Sequence, residues 1–286
     1  MNKIVLPKMI QQTKTLACLL VCLLVLAGCG GGGDASSNAE TTGGLSFQLQ
    51  FVDPSDEAHL QISNAEGDNI CTTYEIDDIK ATLSRMDGTE LASATWPCED
   101  HGGILDGVAP TTNLVLLIEG VVNGEVAWRG QKGGIEILPG EITPAGTVQM
   151  INITGDQTAP QILLPTTPQD GAEGVPINTA ITVDFNEPVS AISLYDAFSL
   201  TDDGSNSVTG IVSYESNDED QYWRAKFTPA ANLKVQTQYT VTLLNVVHDL
   251  AGNTIDGAHE WSFTTGSTAL PAMIWGQHNW GEAAWQ

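Results

Sequence analysis

The chain has 286 residues, 35 acidic and 10 basic, with a net charge of −25 at pH 7. That balance excludes nucleic-acid binding, since phosphate contact needs clustered Lys and Arg. It also argues against adhesion to anionic lipid by charge. It favours solubility, with divalent-cation binding as the sharper alternative.

Residues 1–28 form a targeting segment. Lys3, Lys8 and Lys14 make a positive start with no acidic residue, and Leu16 to Leu26 is an apolar core of 11 residues. A bilayer-spanning helix needs about 20 apolar residues, so a signal peptide is predicted rather than a transmembrane helix. The core ends in Leu26-Ala27-Gly28-Cys29. This tetrad resembles the lipobox of bacterial lipoproteins. The resemblance implies that Cys29 becomes the mature N-terminus and carries acyl chains such as palmitate, giving a membrane anchor. It also implies, through Gly30 in place of Asp after the Cys, the outer membrane of a Gram-negative cell. Two or more chains anchor stably where one holds marginally, at ~0.8 kcal/mol per buried CH₂.

Without residues 1–28 the chain keeps 7 basic and 35 acidic residues, a net −28 over 258 residues. Residues 29–44 hold the lipidated Cys and a linker rich in Gly and Ser. Such a segment buries no core, and its fifteen residues after Cys29 reach roughly 20 Å as a random coil.

The rest is predicted to be all-β: two β-sandwich domains in tandem, the second Ig-like. Apolar and polar residues alternate, and Gly or Asn-Asp turns recur every eight to twelve residues. The first domain spans 45–154. Leu45, Phe47, Leu49 and Phe51 share one face of a half-buried strand, and Ile79, Ala81 and Leu83 repeat the pattern before a turn at Met86-Asp87-Gly88-Thr89. Leu114 to Val122 is a central strand, and Asn123-Gly124 a hairpin turn to a strand at Val126–Arg129. The passage from Gly103 to Leu116 resembles that of small transthyretin-like or Cna-B-like sandwiches. Cys71 and Cys98 are the pair left outside the leader and lipobox. In an oxidising compartment they most simply form a disulfide, worth ~3–4 kcal/mol on loop entropy. A metal or redox pair is the alternative, without Cys-x-x-Cys spacing to support it.

The second domain spans 158–266. Its blocks are Gly174-Val175-Pro176-Ile177-Asn178-Thr179, Val183-Asp184-Phe185-Asn186-Glu187-Pro188-Val189, Tyr239-Thr240-Val241-Thr242-Leu243, Asp249-Leu250-Ala251-Gly252-Asn253 and Trp261-Ser262-Phe263-Thr264-Thr265-Gly266. In this order they resemble the bacterial Ig-like domain of the S-layer SbsA type (Big_5). The resemblance implies a seven-strand sandwich used as a spacer or surface module, with no catalytic residues. Four inward stripes are expected from Ile181/Val183/Phe185, Trp223/Ala225/Phe227, Tyr239/Val241/Leu243 and Trp261/Phe263. Asp202-Asp203-Gly204 and Asn217-Asp218-Glu219-Asp220 read as turns.

The segment Asp249 to Asn253 reads first as a turn, with Asp and Asn capping their own backbone. The alternative makes Asp249, Asn253 and Asp256 oxygen ligands for calcium, with Asp156 at the domain junction; six to eight oxygens would be needed. His59, His101, His248, His259 and His278 are scattered, with no His-Glu-x-x-His, Gly-x-Ser-x-Gly or phosphate-loop motif. The expectation is a non-enzyme without a required cofactor. Residues 267–286 form a tail with Trp275, Trp280 and Trp285. A spacing of five puts successive Trp ~140° apart on a helix and on alternate faces of a strand. The tail is read either as docking on a sandwich, as an aromatic patch for glycan, peptidoglycan or protein, or as an export signal. The function expected is a structural or adhesive envelope lipoprotein, with membrane and an envelope protein or glycan as partners. The alternative is a carbohydrate- or protein-binding accessory lipoprotein using the Trp-rich tail or a sandwich edge.

Overall fold

The computed structural model describes residues 41–52, 70–217 and 222–267. Cys29, its linker to residue 40, the turn at 218–221 and the three Trp of the tail lie outside the described residues. Among the described residues no helix is long and apolar enough to cross a membrane. The fold is all-β.

The first sandwich contains β1 (Gly43–Phe51), a one-turn helix α1 (Ile70–Thr73), β2 (Ile76–Arg85), β3 (Glu90–Pro97), β4 (Gly102–Val108), β5 (Thr111–Val122), β6 (Glu125–Ile137) and β7 (Ile142–Asn152). Its two layers belong to one seven-stranded sheet, in the order β3-β2-β5-β6-β7-β1-β4. The sheet curls until its outer strands meet. Trp96 of β3 lies edge-on to Phe47 of β1 at 5.5 Å, and a side chain on Gly103 of β4 would run into the Trp96 ring. The alternating residues of β1 and β2 are buried as expected, because one face of each strand must leave water. Asn123 and Gly124 both take positive φ, 52° and 85°, which a primed hairpin turn requires. The returning strand β6 runs well past Arg129, to Ile137. Trp128 is fully buried, with Phe51 and Tyr74 edge-on at 5.3 and 5.1 Å. Cys71 and Cys98 form the disulfide, with Cα atoms 5.7 Å apart. It ties α1 to the end of β3 and places Cys71 Sγ 3.5 Å from His101 Nε2.

The second sandwich contains β8 (Ile162–Thr167), β9 (Ala172–Val175), β10 (Ile181–Phe185), β11 (Phe198–Asp202), β12 (Gly210–Asn217), β13 (Tyr222–Pro229), β14 (Gln238–Leu243) and β15 (His259–Thr265). Its sheets are ordered β12-β13-β10-β8 and β11-β14-β15-β9. Among the described residues there are eight strands rather than the seven expected. The first strand is split, because Pro165 and Pro168 carry no N–H for a ladder and the chain then turns at Gly171, φ 71°, into the other sheet. Ile181, Val183, Phe185, Ala225 and Phe227 face Tyr239, Val241, Leu243, Trp261 and Phe263 across the core. Trp223, at the edge of this stripe, is half-buried. Buried polar tips find partners: the Trp261 indole donates to the Pro168 carbonyl at 3.0 Å, and the Tyr239 hydroxyl accepts the Lys234 N–H at 2.8 Å. Asp202 closes its turn by accepting the N–H groups of Gly204 and Asn206 at 3.0 and 2.8 Å and the Lys234 ammonium at 2.6 Å.

In the first sandwich the first and last strands, β1 and β7, are parallel neighbours; in the second, the later half of the split first strand, β9, lies parallel beside the last, β15. The chain therefore comes in at one end of each sandwich and leaves at the other.

Candidate functional site at the junction of the sandwiches

Three acidic side chains from separate stretches of chain meet where the sandwiches join. Asp156 lies in the connection after β7, where its Oδ1 accepts the Thr158 N–H at 2.9 Å. Glu187 follows β10, beside Asn186, whose Oδ1 accepts the Gln161 N–H at 2.6 Å. Asp249 sits in the loop between β14 and β15 and is 2% exposed. Its Oδ1 accepts the N–H groups of Gly252 and Asn253 at 2.6 and 2.8 Å, and its Oδ2 accepts the Asn253 amide at 2.8 Å. One carboxylate oxygen from each of the three lies within 4.8 Å of the others. A backbone bridge between Val189 and Asp249 holds the two loops together, and Asn253 Nδ2 donates to the Asp156 carbonyl at 3.3 Å.

The electrostatics follow from this crowding. Burial, then the Asp249 charge, then the Asp156 charge push the Glu187 carboxyl from 4.5 up to about 7. Glu187 Oε1 is shut away from solvent and has no hydrogen-bond partner among the described residues. The proton that relieves the repulsion belongs on Glu187, the carboxyl that burial and its two neighbours push up. The trio can hold that proton, or it can present three oxygens to a cation, half of the six that calcium needs at minimum.

The turn reading of Asp249 to Asn253 holds: Asp249 caps its own loop, and Gly252 takes φ 102°. Of the calcium candidates, Asp249 is in the cluster. Asn253 turns its amide nitrogen to Asp249, which makes it a donor there, and Asp256 lies exposed in a turn outside the cluster. Asp156 is brought in from the junction. Glu187 was missed as a site residue, because its carboxylate is remote in sequence from Asp156 and Asp249; the acidic residue at a strand exit was the available signal.

The same loops are gripped by the first sandwich. The Arg129 guanidinium donates to the Leu250 carbonyl at 2.8 Å while paired with Glu119 at 3.0 Å. The buried Gln131 side chain donates to the Val189 carbonyl and accepts the Ala191 N–H at 3.1 Å. Asn113 Nδ2 donates to the Val212 carbonyl of β12 at 2.9 Å. Gly133 of β6 lies so close to β12 that an added Cβ would overlap the Tyr214 carbonyl. Met86 and Val115, from the first sandwich, are buried in the core cluster of the second. Strand β12 is thus covered along an edge that would otherwise be open to another strand.

Strand order and the packed inner faces define an Ig-like sandwich at the C-terminal side. Residues 156–265 match the model of the bacterial Ig-like domain family, and this segment is such a domain. No curated protein matches the chain. Among solved structures, the N-terminal part of the bacterial S-layer protein SbsC is 21% identical over 38% of this chain and 24% of that one, with a TM-score of 0.29. The BSP domain of a biofilm-associated protein is 15% identical over 68% of this chain and 26% of that one, with a TM-score of 0.22. A fimbrilin from Porphyromonas gingivalis W83 is 11% identical over 78% of this chain and 81% of that one, with a TM-score of 0.26. The chain spans about a quarter of the length of the first two.

Proposed function

We propose that this chain is a non-catalytic lipoprotein of the cell envelope, anchored through Cys29 and serving as a structural or adhesive surface module. The observation that carries this reading is the chain path. Each sandwich receives the chain at one end and releases it at the other, so an anchored N-terminus holds the Ig-like domain beyond the first sandwich. The Leu26-to-Cys29 tetrad supplies the anchor and the linker supplies the stand-off. The close-packed junction makes the two sandwiches a stiff spacer rather than two beads on a string. The outer membrane is the location this reading favours.

Metabolic labelling with a clickable palmitate analogue tests it. The wild type takes up label and fractionates with membrane, while Cys29→Ser stays unlabelled and is released. Equal labelling of the two, or an unlabelled wild type, overturns the lipoprotein reading. Hydrolysis of a polysaccharide by the pure protein overturns the non-catalytic part.

A second reading, a carbohydrate- or protein-binding accessory, is favoured by strand β8 at the edge of its sheet. There Leu163 and Leu164 are 47% and 71% exposed. Specific glycan binding that is lost on Leu163→Asp or Leu164→Asp, or on removal of residues 268–286, would establish it.

A further inference from the structure

The terminal strands of the two sandwiches differ in a way that matters under tension. In the first, β1 lies against β7 with eight facing pairs, from Gly44 opposite Ile142 to Phe51 opposite Met150. Backbone bonds close both ends of this ladder, Gly44 N–H to the Glu141 carbonyl at 2.8 Å and Val52 N–H to the Met150 carbonyl at 3.0 Å. The other edge of β1 is paired with β4. Leu45, Phe47, Leu49 and Phe51 are buried, so β1 cannot slide without dragging core side chains. In the second sandwich β9 faces β15 at only two pairs, Ala172 with Phe263 and Val175 with Thr265. Neighbouring bonds, Gly171 N–H to the Ser262 carbonyl and Gly266 N–H to the Val175 carbonyl, both at 2.8 Å, add little length.

We propose that the first sandwich is a tension-bearing element of this chain. A pull applied through its flanks runs along β1 in one direction and along β7 in the other. The ladder is then loaded in shear. Its hydrogen bonds share the force and must fail together, whereas a strand pulled sideways loses them one at a time. Resistance to forced unfolding is set by the unfolding barrier rather than by overall stability, so this geometry counts even in a modestly stable domain. The Cys71–Cys98 bridge lies wholly within this sandwich and withholds 27 residues from extension. The Ig-like domain, with its short terminal ladder, yields first and spares the strand pair nearer the anchor. The role rests on the envelope reading above, which supplies an anchored end and a loaded end. The ladder geometry does not.

Stretching the single mature chain by its two ends in optical tweezers tests the proposal. Two main steps are expected. The weaker, earlier one frees the Ig-like domain. The stronger, later one frees about 300 Å of contour from the first sandwich, rising to about 390 Å under reductant, at roughly 3.6 Å per residue. A second geometry has handles in the Asn123-Gly124 turn and at Gly155. Because Trp128 faces Asn152, these points lie at one end of the sheet, and the pull peels β6 from β7. The first sandwich then opens at a several-fold lower force. Equal forces in the two geometries, or a first sandwich that yields before the Ig-like domain, overturn the proposal. Failure of palmitate labelling would remove the anchor without changing these forces, so the two readings fail separately.

Discussion

Replacing Glu187 by Gln is expected to stabilise the protein at pH 8 and to leave it nearly unchanged near pH 4. In the folded chain the Glu187 carboxyl is pushed from 4.5 to about 7, first by burial and then by Asp249 and Asp156. Between these values the native state binds a proton that the unfolded chain has released. Stability therefore falls as pH rises from about 4.5 to about 7, and stays at the lower level above that window. At 1.36 kcal/mol per unit the shift corresponds nominally to about 3 kcal/mol. Glu187 is only partly buried, and solvent screening reduces this to about 1–2 kcal/mol. Gln keeps the shape, carries no charge, and can donate an amide N–H to Asp249 or Asp156. For a folded unit of this size the gain is a rise in Tm of about 2–8 °C at pH 8. Calorimetry of both proteins at pH 5 and pH 8 measures it. Parallel pH slopes, or a variant less stable than the wild type at pH 8, would refute the reasoning. Calcium offers the trio another way to lose its repulsion. It should raise the wild-type Tm at pH 8 more than that of the variant, and no heat and no shift would remove the calcium reading.

Three further outcomes are expected. Gln131→Ala strands the buried Val189 carbonyl and Ala191 N–H, at a cost of about 2–4 kcal/mol. A chemical-denaturation midpoint equal to that of the wild type would show that the junction does not need this side chain. Asp202 is held at about 2, chiefly by the Lys234 ammonium and then by the Asn206 N–H. Its contribution is present above about pH 4 and is lost as pH falls towards 2, so Asp202→Asn should destabilise at pH 7 and cease to do so at pH 2, in paired melts. Removing both Cys71 and Cys98 as Ala should cost about 3–4 kcal/mol, read as a lower urea midpoint matched by the wild type in reductant.

What could be read from the sequence was what depends on near neighbours in the chain. Alternation in Leu45 to Phe51 and in Ile181 to Phe185 needs only a strand's two-residue period and one wet face, so those strands and their buried sides were predictable. Turn chemistry at Asn123-Gly124 and Asp249-to-Asn253 is equally local. The Cys71–Cys98 pair followed from counting, because the other Cys residues belong to the leader and lipobox. The tertiary structure decided what joins distant residues. The curl that folds one sheet into two layers depends on Trp96 meeting Phe47 and Gly103. The parallel placement of β1 beside β7 joins residues about a hundred positions apart, and no local pattern encodes it. Met86 shows the same limit: it opens a turn of the first sandwich in sequence, yet packs into the core of the second. Glu187 is an ordinary carboxylate in the chain. It becomes a proton-holding group only because folding buries it between Asp156 and Asp249, and desolvation and charge repulsion are properties of three-dimensional proximity.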